Sequence, residues 1–194
     1  QQFLAAGVRD ILYAVGMVPA KLPQVLALRQ RGADIKIVAD SVQSALAIAR
    51  FGSENAHGFE VWIEIDCDGH RSGVRADDPA LIEIGRALAG GGMVLGGVMT
   101  HAGSSYDLDS PDALRAMAEQ ERSACVLAAQ RLRAAGLHCP VVSVGSTPTA
   151  LSAEHLDGVT EVRAGVYVFF DLVMLNVGVC APHELALSVL ATVI

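Results

Sequence analysis

Val61-Trp62-Ile63-Glu64-Ile65-Asp66-Cys67-Asp68-Gly69-His70-Arg71-Ser72-Gly73 decides how the chain is read. A short β-branched, almost continuous apolar run ends abruptly in a polar, glycine-bounded loop. Such a run suits a strand buried on both faces of a parallel sheet. The pattern recurs at Val94–Thr100, followed by His101-Ala102-Gly103-Ser104-Ser105-Tyr106, and at Val141–Gly145, followed by Ser146-Thr147-Pro148-Thr149. Asp10–Val15, Ile35–Ala39 and Glu161–Val168 complete six predicted strands. Stretches with apolar residues at helical spacing lie between them: Leu22–Gln30, Val42–Phe51, Pro79–Ala89 and Pro111–Ala135. Asp40/Ser41 and Ser110-Pro111 are helix starts, and Gly32 and Gly136 are helix stops.

Repeated βα units with doubly buried strands leave two architectures, a barrel or an open doubly wound sheet. No GxGxxG or GxxxxGK[ST] follows a strand, so the usual nucleotide-binding argument for the open sheet falls away. A closed eight-stranded barrel takes about 250 residues, against 194 here. The expected fold is therefore α/β, a (β/α)8 TIM-type barrel of which about six units are present. Gln1–Gly7 resembles the last turns of a helix, and Leu185–Ile194 is apolar without a polar tail, so a partial chain is expected. Residues 1–175 are read as barrel strands three to eight, and 176–194 as the start of a second domain.

With 14 basic and 21 acidic residues the net charge is −7, and no Lys/Arg run offers a nucleic-acid surface. Hydrophobic residues make up 52 %, which excludes disorder. The apolar run Gly165–Ala181 is broken by Asp171 and Asn176, and its Val/Phe/Tyr content suits strands better than a membrane span. Cys67, Cys125, Cys139 and Cys180 are scattered, as expected of reduced thiols in a cytoplasmic protein.

In a βα barrel the chemistry lies at the carboxyl ends of the strands. Gly145-Ser146-Thr147 and Gly165-Val166 together read as a phosphate cup, made of hydroxyls and backbone N–H groups without a lysine. Plain Gly/Ser/Thr turns are the bland alternative. His101 at a strand end is a general base, a metal ligand, a ring packed on a flat cofactor, or a structural histidine. Arg71 is a fixed charge in the mouth or a solvated loop residue. Asp66, Asp68 and His70 lack a second spaced ligand pair, so no metal site is assigned.

In order, the text Glu64–Val74, His101–Tyr106, Val144–Thr149 and Glu161–Tyr167 resembles fold-type III pyridoxal-phosphate enzymes, the group related to alanine racemase, and within it the D-serine dehydratase and D-threonine aldolase branch. The resemblance implies pyridoxal 5'-phosphate as cofactor. Arg71 would then bond the cofactor's phenolate oxygen and His101 would lie against its ring. Gly145, Ser146, Thr147, Gly165 and Val166 would hold the phosphate, and Arg163 would face the pyridine nitrogen. Tyr106 and Tyr167 would touch cofactor or substrate. It also implies a Schiff-base lysine upstream of Gln1, because Lys21 and Lys36, the only lysines, match no such position. A carboxyl-terminal β domain carrying a divalent metal (Zn or Mn) is implied, as is a homodimer. The expected reaction removes water and ammonia from a D-β-hydroxy amino acid such as D-serine. Retro-aldol cleavage, racemisation and a non-catalytic cofactor carrier are the alternatives. The partner is a small D-amino acid, with neither nucleic acid nor membrane.

Overall fold

A computed structural model describes residues 1–192. Its strands are β1 (Asp10–Gly16), β2 (Asp34–Ala39), β3 (Glu60–Asp66), β4 (Val74–Arg75), β5 (Val94–Thr100), β6 (Val141–Val144) and β7 (Glu161–Val162). All pair in parallel, in the order β1-β2-β3-β5-β6-β7, with the two-residue β4 beside the end of β3. Between them run α1 (Gln2–Ala5), α2 (Leu22–Gln30), α3 (Val42–Glu54), α4 (Ala80–Gly90), α5 (Pro111–Ala134), α6 (Thr147–Ser152) and α7 (Leu172–Val177). The five long-range pairings along this path and the intervening helices make six consecutive βα units of a curled parallel sheet, as the sequence leads one to expect.

Side-chain alternation builds two apolar layers. One face of the sheet (Ile35, Ile37, Val61, Ile63, Ile65, Leu95, Val98, Val142) packs beneath the helices in the main core. The opposite, inner face holds Val38, Trp62 and Met99, with Leu12 and Val141 against them. Continuous apolar runs are thus explained by burial on both faces.

Helix punctuation follows the side-chain chemistry. Ser41 accepts the N–H of Ser44 at the start of α3, and Ser110 accepts that of Ala113 before Pro111 in α5. Gly32 and Gly136 have φ of +89° and +79°, and the residues after them donate back to Leu28 and Leu132, closing α2 and α5.

Two expectations fail near the end. The strand expected over Glu161–Val168 stops at Val162, and Val166–Val168 form a 3₁₀ turn. The Val166 N–H is taken by the Thr147 hydroxyl at 3.1 Å rather than by a neighbouring strand. Gly165, at φ −122° and ψ −49°, turns the chain out of the extended region. The strand-like run that follows forms no strand either. Asp171, which interrupts it in the sequence, caps α7 by accepting the Met174 N–H at 2.9 Å, and Gly178 at φ +81° stops it. Within 176–192 the one further regular element is a 3₁₀ turn at Pro182–Glu184. Val193 and Ile194, the end of the expected second unit, lie outside the described residues. No helix among the described residues is long and apolar enough to cross a membrane.

Candidate active site

The carboxyl ends of β3, β5, β6 and β7 share one edge of a parallel sheet, so the loops that follow them meet. After β3, Asp66 accepts the N–H groups of Asp68 and Gly69, and Asp68 accepts that of His70. These bonds curl 66–70 into a tight turn, and Gly73 at φ +127° brings the chain back against the Asp66 backbone. The second Asp68 oxygen takes the Ser104 N–H at 2.8 Å, tying this loop to the one after β5. Arg71 is exposed, and a Cβ on Gly103 would stand 2.8 Å from its Cγ. The glycine therefore lets the Arg71 stem lie across the loop after β5.

That loop carries His101 and Tyr106, whose rings stack with centroids 5.8 Å apart and planes 15° from parallel. Burial, with the Arg71 and Arg163 cations nearby, pushes His101 down to about 4, so the ring is neutral at physiological pH. Burial pushes the Tyr106 phenol up, opposed by Arg71 and the Thr147 backbone.

After β6, Gly145 has φ +152°, and a Cβ there would meet the Arg163 backbone at 2.8 Å. Only glycine permits that approach. It sets Ser146 and Thr147 beside Gly165 and Val166, with the Thr147 hydroxyl accepting the Val166 N–H. A Cβ on Gly165 would meet nothing within 4 Å, so the space beside this N–H is open. Ser146, 1 % exposed, caps α6, and its hydroxyl lies 2.9 Å from Ser105 and 2.8 Å from Thr149. Arg163 reaches into the sheet interior. Its Nε donates to Ser143 Oγ at 2.7 Å, and Nη2 donates to the carbonyls of Ser143 and Thr100. Tyr167 follows Val166 on the 3₁₀ turn and is 53 % exposed.

Two buried carboxylates went unnoticed in the sequence. Glu64 on β3, 7 % exposed, accepts the Ser72 hydroxyl at 3.0 Å and so holds the Arg71 loop from inside. Glu121 on α5, 2 % exposed, accepts from Ala102, Gly145 and Thr149. Glu121 falls on the helical stripe Leu114, Ala118, Cys125, Ala128, a signal that was available. Among the described residues no group of three or more His, Cys, Asp or Glu side chains is placed to hold a metal.

The model of the alanine racemase N-terminal domain matches residues 3–173. The chain belongs to that family. The D-threo-3-hydroxyaspartate dehydratase of Delftia sp. (strain HT23) is 71 % identical over the whole chain, which covers 51 % of that protein. Its solved structure superposes with a TM-score of 0.94 over 95 % of this chain and 49 % of the other. The D-serine dehydratase of Dictyostelium discoideum is 24 % identical, again over the whole chain and 52 % of the relative. The D-threonine aldolase structure from Filomicrobium marinum, at 23 % identity and TM-score 0.80, shares the fold. The chain thus spans about half the length of the curated relatives it matches.

Proposed function

We propose that this chain is the cofactor-holding barrel portion of a pyridoxal-phosphate-dependent lyase that removes water and ammonia from a D-β-hydroxy amino acid. The observation that carries the reading is the Thr147–Val166 contact, which joins two distant segments into one cup and leaves the Thr147 hydroxyl its proton beside the open space at Gly165. A phosphate fits that cup: it takes backbone N–H and hydroxyl donors without needing a lysine. The stacked His101 and Tyr106 rings supply a flat surface next to it. Bound pyridoxal phosphate supplies an electron sink for the carbanion left at the substrate Cα.

The protein's own residues have separate tasks in this reading. The Thr147 hydroxyl, fixed by the Val166 N–H that it accepts, would donate its proton to the phosphate, Gly145 and Gly165 would give it room, and Ser146 would fix Thr147 by capping α6. His101, neutral because its pKa is depressed, would pack on the cofactor ring without competing for protons. Arg71 would donate to the ring oxygen. Arg163, fixed by Ser143 and the Thr100 carbonyl, would keep a permanent positive charge toward the pyridine nitrogen. Tyr106 and Tyr167 contact cofactor or substrate.

Neither lysine of this chain serves as the anchoring amine. Lys36 is paired with Asp10 and Asp34, and Lys21 donates to the Tyr13 hydroxyl at 2.7 Å. The amine comes from sequence before Gln1, and residues 1–175 are completed by a carboxyl-terminal β domain that begins within 176–194. A divalent metal, zinc or manganese, belongs to that domain. The described residues offer it no ligand cluster, and no step is derived through it. A metal-free form of a D-threo-3-hydroxyaspartate dehydratase variant has been solved. The complete protein works as a cytoplasmic homodimer on a small D-amino acid.

The 71 % identical relative makes D-threo-3-hydroxyaspartate the first substrate to offer, ahead of D-serine. The full-length protein is expected to release a keto acid and ammonia in equal amounts. Glyoxylate and glycine would instead mark retro-aldol cleavage, an enantiomerised amino acid would mark racemisation, and unchanged substrate would reduce the protein to a carrier. Any of these three overturns the proposal.

A further inference from the structure

The carboxylate of Glu121 is buried behind the site, on the helix side, and touches neither the mouth nor solvent. Its Oε1 accepts the Ala102 N–H at 2.8 Å and the Gly145 N–H at 3.2 Å. Ala102 directly follows His101, and Gly145 lies two residues before Thr147. One side chain thus clamps the ring-bearing loop to the phosphate-bearing loop.

Its other oxygen sets the direction of a hydroxyl chain. Thr149 donates to Oε2 at 2.6 Å, so Thr149 Oγ1 is left to accept from Ser146 at 2.8 Å. Ser105, 2.9 Å from Ser146, spends its proton on the Ala102 carbonyl at 2.7 Å. The Ser146 proton therefore points inward, away from the cup. The Thr147 hydroxyl accepts from Val166 and keeps its own proton for a ligand. Burying a carboxylate is costly unless donors surround it, and here three do. Such a cost, spent where two loops of the candidate site meet, marks positioning rather than bulk stability.

We propose that Glu121 is a positioning residue that fixes the spacing between the His101 platform and the Thr147–Val166 cup, and thereby selects a ligand whose phosphate stands at one set distance from its ring. This rests on the phosphate-bearing cofactor reading above. Bringing two loops to a fixed separation helps only a ligand that engages both, so pyridoxal phosphate should gain from Glu121 and unphosphorylated pyridoxal should not.

The test compares dissociation constants for pyridoxal 5'-phosphate and pyridoxal in the full-length protein. The variants are Glu121→Gln, Thr149→Val and, as a control on the same buried helix face one turn away, Cys125→Ala. Losing a charged acceptor costs about tenfold or more in binding. Glu121→Gln should weaken pyridoxal phosphate by that factor and pyridoxal by less than about threefold. Thr149→Val, which leaves both N–H clamps intact, should move the ratio in the same direction by less, and Cys125→Ala should leave it unchanged. Amide hydrogen exchange of the cofactor-free protein should quicken at Ala102 and Gly145 in Glu121→Gln alone. Equal weakening of both ligands, or no change in either, would reduce Glu121 to packing and overturn the inference. Wild-type protein that fails to prefer pyridoxal phosphate over pyridoxal would instead remove the functional reading on which it stands.

Discussion

The loop after β3 and the loop after β6 border the same mouth but are built in opposite ways. The first is outside: His70, Arg71 and Ser72 are exposed, and the turn is held by the Asp66 and Asp68 carboxylates reaching over its own N–H groups. The second is inside: Ser146, Thr147 and Thr149 are each 1 % exposed and are locked to Glu121 and Ser105. The difference teaches that the cup is preformed, whereas the exposed Arg71 side is fastened mostly by bonds at the surface, with the bond from Ser72 to the buried Glu64 as an inner tie, and has more room to adjust to a ligand. A rigid end that takes the invariant part of a ligand and an adaptable end that takes the rest is an economical way to preorganise a site.

Substitutions can break this contrast, and the largest effect belongs to the rigid loop. Gly145→Ala puts a Cβ 2.8 Å from the Arg163 backbone at φ +152°, where neither strand can yield. A loss of about 3 kcal/mol is expected, read as a fall in the denaturant midpoint of the full-length protein. The outer loop should respond more weakly. Asp68→Ala removes the acceptor for Ser104 and His70 and should cost about 1 kcal/mol in the same measurement. Should Asp68→Ala prove the more damaging of the two, the contrast is wrong.

The ring between the loops sharpens it by pH. His101 has its pKa lowered from 6.5 to about 4 in the folded protein, chiefly by burial and then by Arg71 and Arg163, with the Gly145 backbone and Asp68 opposing. Between those values the unfolded chain binds the proton and the folded one does not, so stability rises with pH across the window and is lost as pH falls from 6.5 towards 4. The shift corresponds to at most roughly 3 kcal/mol over the whole window, reduced by solvent screening of the half-buried ring. His101→Phe should flatten that part of the stability profile while leaving the pH 7.5 value nearly unchanged. The smallest effect is expected outside both loops: Asp171→Ala removes the α7 cap and should cost about 1 kcal/mol at most.

Much of this layout was legible because strand-end glycines and hydroxyls are unusual enough to stand out. Gly145-Ser146-Thr147 and Gly165-Val166 were picked out by type, and the structure brings them together. Glu121 escaped because it sits among Glu119, Gln120 and Arg122 in what reads as a solvated helix face; only the phase of the apolar stripe betrays it. Glu64 escaped for a related reason, since one charge in a β-branched run looks like noise until the inner face has a use for it. The last strand is shorter than its sequence suggests, because Val166-Tyr167-Val168-Phe169-Phe170 has strong β propensity yet forms no strand. Propensity does not decide when Thr147 takes the Val166 N–H and the neighbouring side chains of Tyr167, Val168 and Phe169 stay more than half exposed.

The central claim is that this chain holds a phosphate-bearing pyridoxal cofactor whose aldehyde is held by an amine outside residues 1–194. Borohydride reduction of the full-length protein followed by peptide mass mapping tests it most directly. The account predicts one reduced pyridoxal-phosphate adduct per chain, on a lysine preceding Gln1. No adduct, or an adduct on Lys21 or Lys36, would contradict it.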